Sequence, residues 1–414
     1  MAQELKSRVA IVGGGPAGCI CAYFLQNDFD VTVFDFSSPL RTLLPTGGGR
    51  CNLCHAEYDF KELAKNYPRG EKFLYSVFSK FSTADTIEFF EKIGVKTYIQ
   101  DDMRIFPQSN SAKDVREKFL KALNKVKFVK EKVLRINPPH LQELSPLTRH
   151  SVTPSPTIGA RDKMQVVTDM GAHKADYVVI STGGHASFEL IKLSGHKIIE
   201  PKPALTGLVT REDFSSISGV SINDVLFTHK GVSGPAVYKI SSLKARDKFP
   251  YNLSFNFVGD IDLQSALNEN PHKSIKNLLT TIPLIRPSDT FSRAGEKDTI
   301  PKSFAEFVLK NLKINPDEKC HRIDGKTRDR IIDKLQNFTV TAVGTVPDGE
   351  VVTAGGVDLN EINPKTMESK LHKGIYFCGE VMDIDGFCGG FNLQNCWSTG
   401  YVASQAILAL SCAF

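Results

Sequence analysis

The residues of this chain whose types and spacing suit chemistry stand at its two ends. Near the start, Gly13, Gly15 and Gly18 follow the pattern G-x-G-x-x-G, with Pro16 and Ala17 between the last two. The first glycine permits a tight turn, the second lets backbone N–H groups approach a pyrophosphate, and the third lets a helix pack closely on a strand. Asp35 follows at about 20 residues' distance, where a carboxylate meets the hydroxyls of an adenosine ribose. Together these residues predict a dinucleotide site.

The elements that must position them are legible on either side. Residues 9–12 are an apolar run that reads as a strand, 19–26 read as a helix, and 30–34 read as a second strand ending at Asp35. A bare glycine-rich turn would lack that ordered surround. The phosphates belong at the helix N-terminus, where unpaired N–H groups and the positive end of the helix dipole favour an anion. At the other end of the chain, 374–378 read as a buried strand running into Gly379 and Glu380. A loop over 383–390 then leads to a helix over 392–410. In FAD enzymes of the Rossmann type, a late strand ending in Gly-Asp places its acid on the ribityl chain. Glu380 stands where that acid is usually Asp. A helix starting just beyond would stabilise negative charge on the N1/O2 edge of a reduced flavin.

Several further motifs make the chain recognisable. They are Thr46-Gly47-Gly48-Gly49-Arg50-Cys51-Asn52, Arg104-Ile105-Phe106-Pro107, the stretch 226–235 around His229, Gly355-Gly356-Val357, the stretch 366–370, and Gly389-Gly390-Phe391-Asn392-Leu393-Gln394. In these the chain resembles the bacterial YhiN/BaiN-like flavoprotein family of NAD(P)/FAD-dependent oxidoreductases, over most of its length. It departs from the family at Asp35, where Glu is common, at Pro45 and Thr46, and at Cys54, where Thr is frequent; the stretch 137–164 finds no match. The resemblance implies an α/β fold: a Rossmann-type, GR2-like FAD-binding domain with an inserted β-plus-helical domain. FAD would be held by Gly13, Gly15, Pro16, Ala17, Gly18, Asp35, Gly48, Gly49, Arg50, Cys51, Asn52, Thr182, Gly183, Gly379, Glu380, Gly389, Gly390, Asn392 and Leu393. NADH or NADPH would be a transient electron donor.

The cofactor domain is expected to be split, over 1–193 and 350–414. The strand-like run 175–181 and its glycine turn, Thr182-Gly183-Gly184, belong to the first part. No second G-x-G-x-x-G follows a strand, which argues against a built-in nicotinamide domain. Short β-type runs at 207–210, 224–227 and 253–257, helical runs at 263–279, 302–312 and 327–335, and a strand at 338–340 make 194–349 an inserted substrate or cap domain. The stretch 137–157, rich in proline, reads as an exposed excursion.

Reduction of a polarised C=C bond requires a proton as well as a hydride. Cys51 is the first candidate donor, because the loop before it should bring backbone against the flavin ring, followed by Cys388 and His229. A buried packing thiol is an equal reading of Cys51, and a loop histidine bonded to neighbouring backbone is the better reading of His229. Arg50 would hold the flavin phosphate or a substrate anion. The resemblance implies C=C reduction, of uridine in ribosomal RNA to dihydrouridine or of unsaturated steroid acids. Two alternatives remain: a flavin-dependent oxidase of small amines, and a flavin-stabilised RNA-binding protein without catalysis.

Composition bounds these readings. At 414 residues and 41% hydrophobic content the chain has room for two or three domains. No signal peptide is expected before Val9, and no apolar run approaches the roughly 20 residues of a membrane span. Nine scattered cysteines fit a reducing compartment, hence the cytoplasm. Cys51-x-x-Cys54 has no second pair to complete a zinc site, so no metal is expected and unlinked thiols are favoured over a redox dithiol. A net charge of +5 does not by itself indicate nucleic acid. Lys61, Lys65, Arg69, Lys72 and Lys80, interleaved with Tyr67, Phe73, Tyr75 and Phe78, read first as a solvated amphipathic helix and second as an RNA-facing surface.

Overall fold

A computed structural model describes residues 6–138, 163–184, 188–192, 194–285, 299–347, 349 and 352–411. The proline-rich excursion lies outside them apart from its first two residues. The chain divides into two compact units, Met1–Lys202 with Thr353–Phe414, and Pro203–Val352.

The first unit is built on a five-stranded parallel sheet in the order Ile375–Phe377, Tyr177–Ile180, Arg8–Val12, Asp30–Phe34, Lys127–Val129. Its central strands are buried along nearly their whole length, as the unbroken apolar runs of a covered parallel sheet require. Arg8–Val12 has a sequence-later strand on each side, so the chain order reverses there. A crevice opens at the carboxyl ends of the strands at such a point. Gly13, Asp35, Ser181-Thr182 and Cys378-Gly379 are the residues that leave those ends.

Two helices pack together beside the sheet. The fingerprint helix, Pro16–Leu25, has Pro16 at its first position, where no intrahelical N–H is lost. The closing helix, Phe391–Ser411, approaches it so closely that a β-carbon on Gly400 would lie 2.4 Å from Ala17 O. The closing helix is apolar on most sides, and its buried polar residues bond inward. Thr86 Oγ1 donates to Gln394 Oε1 (3.1 Å), Gln394 Nε2 to Ser398 Oγ (2.8 Å), and Ser398 Oγ to Phe81 O (2.7 Å). Trp397 is fully buried against Phe90 and Phe119, and its indole N–H donates to Leu53 O at 2.9 Å.

A buried hydroxyl–imidazole chain ties residues 194–196 to 369–372. Ser369 Oγ accepts from the N–H groups of Leu371 and His372, both at 3.0 Å, so its own proton points to His196 Nε2 at 2.7 Å. The imidazole proton then sits on Nδ1 and faces Ser194 Oγ (2.8 Å), which donates to Ile191 O (2.6 Å). A neutral ring satisfies every partner. Burial, with the neighbouring His372, holds the His196 pKa down to about 4. The unfolded chain therefore binds more protons than the folded one between the ordinary histidine value of about 6.5 and about 4. Stability is full above that window and falls as the pH drops through it, by at most about 1.4 kcal/mol per pH unit. Urea midpoints measured from pH 7 to pH 4.5 should show this slope, and His196→Gln should flatten it.

The second unit is a six-stranded antiparallel sheet in the order Ser221–Ile222, Val225–Thr228, Gly231–Ser233, Leu208–Thr210, Phe338–Thr345, Tyr251–Phe255. Phe214, Phe227, Phe257, Phe304 and Phe338 meet in its core. The helical run over 263–279 is two helices, Leu263–Glu269 and Ile275–Leu279. Asn270 caps the first, and Pro271, which lacks an N–H, prevents its continuation.

Candidate functional site

Backbone geometry at the fingerprint follows the logic of its glycines. Gly13 has φ +105° and donates to Phe34 O at 2.9 Å; a β-carbon there would lie 2.4 Å from Ser181 O. A β-carbon on Gly18 would lie 2.1 Å from Gly13 O and 2.5 Å from Ser181 Oγ. On Gly15 it would meet nothing nearer than Thr42 Oγ1 at 4.0 Å. The middle glycine thus faces open space at a helix N-terminus with no acidic residue in its first turn, which suits a pyrophosphate.

Asp35 is held by three donors: Gly14 N–H to Oδ2 at 2.7 Å, and Ser37 N–H and Oγ to Oδ1 at 2.7 and 2.8 Å. A carboxylate offers about four lone-pair sites, so one remains for a ribose hydroxyl. Beside it lies a cleft of about 510 Å³ lined by Phe36, Arg41, Val129 and Lys130 among others. Arg41 and Lys130 escaped the sequence reading, since neither sits in a motif.

The late strand joins this edge directly. A β-carbon on Gly379 would come within 2.8 Å of Ala17 Cβ, and Gly379 N–H donates to Thr399 Oγ1 at 2.9 Å. Burial, with the charge of Asp385 adding to it, pushes the Glu380 carboxyl up to about 7. Among the described residues of this unit, the side-chain atoms buried without a hydrogen-bond partner include the hydroxyls of Thr182 and Thr353 and both amide atoms of Asn395 on the closing helix. Gly183 and Gly48, with φ of +77° and +67°, have nothing within 4 Å of where a β-carbon would stand. Open glycines, orphaned hydroxyls and a positive helix end fit an FAD. Gly13 to Gly18, Asp35, Gly48, Gly49, Thr182, Gly183 and Glu380 are the residues that would hold it.

Other expected contacts turn out to hold loops. Asn52, in the amide orientation that satisfies both ends, donates to Cys54 O (3.1 Å) and accepts from Gly390 N (3.0 Å). Asn392 exchanges two bonds of 2.8 Å with the backbone of Gly386. Leu393 packs on the core. The bonds shown for the two amides go to loop backbone. Gly389 and Gly390 lie flat on the strand Cys54–His55, a β-carbon on Gly390 falling 2.5 Å from Cys54 C. Arg50 donates to Gly47 O (3.2 Å) and sets its guanidinium 4.2 Å from the Phe106 ring centre.

The proton-donor candidates separate by exposure. Cys51, with φ +68° after three left-handed glycines, is fully buried; burial pushes its thiol up to about 12, offset in part by Thr46. That position keeps Cys51 from meeting a substrate in this conformation. Cys388 is the one exposed thiol among the described cysteines, all of which are free. Burial of its surroundings raises its pKa and the Arg104 guanidinium lowers it. Arg104 pairs with Asp102. His55, which the sequence reading passed over, bonds the same loop at Gly389 O. His229 lies exposed in a hairpin turn of the second unit.

The basic, aromatic stretch does not form one surface. It makes two short helices, Phe60–Ala64 and Glu71–Phe78. Tyr67 and Phe78 are buried in the core, and Arg69 makes a two-pronged ion pair with the fully buried Asp385. Among the described residues no group of three or more metal-binding side chains forms, and no helix is long and apolar enough to cross a membrane.

The sequence profile described as the HI0933-like protein Rossmann domain matches residues 7–406. The chain belongs to this family. Like the other members of the HI0933-like family it is a Rossmann oxidoreductase of the FAD type. It is 28% identical over 418 residues to a ribosomal RNA dihydrouridine synthase of Escherichia coli (strain K12), covering 96% of this chain and 97% of that protein. It is 26% identical over 443 residues to a 3-dehydro-bile acid delta(4,6)-reductase of Clostridium scindens, covering 97% and 98%. Among solved structures it is similar to the open conformation of a flavocytochrome c3 fumarate reductase, at a TM-score of 0.46 and 13% identity, over 98% of this chain and 78% of that one.

Proposed function

We propose that this HI0933-like chain is an FAD-dependent reductase of a polarised C=C bond, recharged by NADH or NADPH, with uridine in ribosomal RNA as acceptor and the cytoplasm as its place of work. The observation that carries the reading is the exposed Cys388 thiol on the loop between Glu380 and the closing helix, where the charge of Arg104 reaches it. When bound, FAD supplies the hydride; the chain must hold the acceptor and deliver a proton. Cys388 keeps its proton at neutral pH and so acts as the acid. Arg104 and Arg50 offer charge for the acceptor's carbonyl or phosphate oxygens. The ribosomal acceptor draws support from the name of the Escherichia coli relative; the bile acid reductase supports the same bond chemistry on a different skeleton.

Anaerobic mixing of the flavin-loaded protein with NADPH and with NADH should bleach the flavin, and small amines should not. Bleaching by amines alone would establish the oxidase instead, and indifference to all three would leave a binding role. In Cys388→Ser, bleaching should proceed at the normal rate while reoxidation by the acceptor slows ~10²-fold or more. Unchanged reoxidation would remove Cys388 from the reaction.

A further inference from the structure

We propose that the stretch from Lys244 to Tyr251 in the second unit is a docking surface for single-stranded RNA, a partner that rests on the reading of ribosomal RNA as the acceptor. The stretch joins the helix Pro235–Leu243 to the strand Tyr251–Phe255, which lies at one edge of the six-stranded sheet. Residues 246–250 are exposed without a break. Two features stand together there. Phe249 stacks on Tyr251, with ring centres 4.9 Å apart and planes 19° from parallel. Lys244 Nζ lies 5.1 Å from the centre of the Tyr251 ring and 2.6 Å from Asp247 Oδ2, and Arg246 and Lys248 follow it at alternate positions of the chain. The stretch thus carries three cations against one carboxylate.

Rings and cations in this arrangement meet two needs of one ligand. A nucleobase has a flat face that stacks on an aromatic ring, and its backbone carries a phosphate for each base, which cations attract. Stacking occupies one face of Phe249, and the residue is still 38% exposed. Tyr67 and Phe78 of the first unit, by contrast, are buried. Tyr251 backs the Phe249 ring and is itself held by Lys244, so little freedom is lost when a base arrives. Two other occupants fit less well. A strand of another protein would add to the sheet edge, but Pro250 has no N–H to give, and lysine beside an edge strand keeps such partners off. An acidic peptide would use the cations and leave the ring pair without a role. Asn252 and Ser254, exposed on the strand that follows, are uncharged and do not repel a phosphate backbone.

Binding can be measured without turnover, which separates this surface from the reaction. The flavin-loaded chain is titrated against an oligouridine of about 12 nucleotides, an abasic ribose-phosphate strand of the same length and polyglutamate, each carrying the same fluorophore. Anisotropy is followed from about 50 to about 200 mM salt. Oligouridine should bind the unaltered chain about ten-fold tighter than the abasic strand. Phe249→Ala should weaken oligouridine by that factor and leave the abasic strand unchanged, so that the preference vanishes; Phe249→Trp should keep it. Lys248→Gln should weaken both strands alike and reduce the slope of log K against log salt by about 0.7. Flavin absorbance and urea midpoints check that each variant is folded. An oligouridine affinity untouched by Phe249→Ala, or polyglutamate binding as tightly as RNA, overturns the assignment. If ribosomal RNA reoxidises the flavin while Phe249→Ala leaves RNA binding intact, the docking surface falls and the reductase stands. A ring-dependent RNA affinity in a chain whose flavin no RNA reoxidises would sink the acceptor and leave the docking surface standing.

Discussion

Gly18→Ala should yield a colourless, destabilised protein. The new β-carbon would stand 2.1 Å from Gly13 O and 2.5 Å from Ser181 Oγ, and the first of these is backbone that cannot step aside. The fingerprint helix must lift off the sheet by on the order of 1 Å, a displacement that elsewhere costs about 10²-fold in a positioned site. Gly15→Ala is the informative partner. Its β-carbon has no neighbour closer than 4.0 Å, so folding should survive within about 1 kcal/mol while flavin is lost. Visible absorbance per protein, measured beside urea midpoints, reads both. Wild-type flavin content in Gly15→Ala would mean that the open side of this glycine is not where the pyrophosphate lies.

The second large effect belongs to Arg69. Asp385 is fully buried and receives Arg69 through both carboxylate oxygens. Arg69→Ala deprives that carboxylate of its guanidinium, which costs about 3–5 kcal/mol when a buried pair is broken from one side. Replacing both partners, as Arg69→Met with Asp385→Leu, should recover most of the loss, because no charge is then left in the core. The single variant also acquires a pH signature. A buried carboxylate without its cation has a folded pKa above its unfolded one, so the cost is present at neutral pH and relieved as acid protonates it. Urea unfolding at pH 7 and pH 5 measures both. A loss below 1 kcal/mol at pH 7 would show that Asp385 is not held as an anion.

The contrast between these two sites explains what could be read in advance. The glycine spacing, Asp35 and the Gly379-Glu380 strand end are constraints of backbone and strand order, written locally, and they were legible. The Arg69 partner lies 316 residues away and the Gly389 partner of His55 lies 334 away, so neither pairing is written in the local stretch of sequence. Cys51 was placed ahead of Cys388 because its loop resembled a flavin contact; which thiol faces outward depends on how three left-handed glycines fold that loop, and residue type does not record it. Asn52 and Asn392 sit within cofactor motifs, yet their amides are spent on Gly390 and Gly386. Motif membership marked the loops and did not show which of their side chains are engaged with backbone.

The strand order has a consequence for how the protein is made. Tyr177–Ile180, apolar on both faces, finds its outer neighbour only in Ile375–Phe377, with the entire second unit translated between them. Throughout that interval the nascent chain carries a bare hydrophobic ribbon edge, the kind of surface that recruits other chains. Slow elongation through the second unit should therefore favour aggregation, and a chaperone that shields that edge should raise the yield of folded protein.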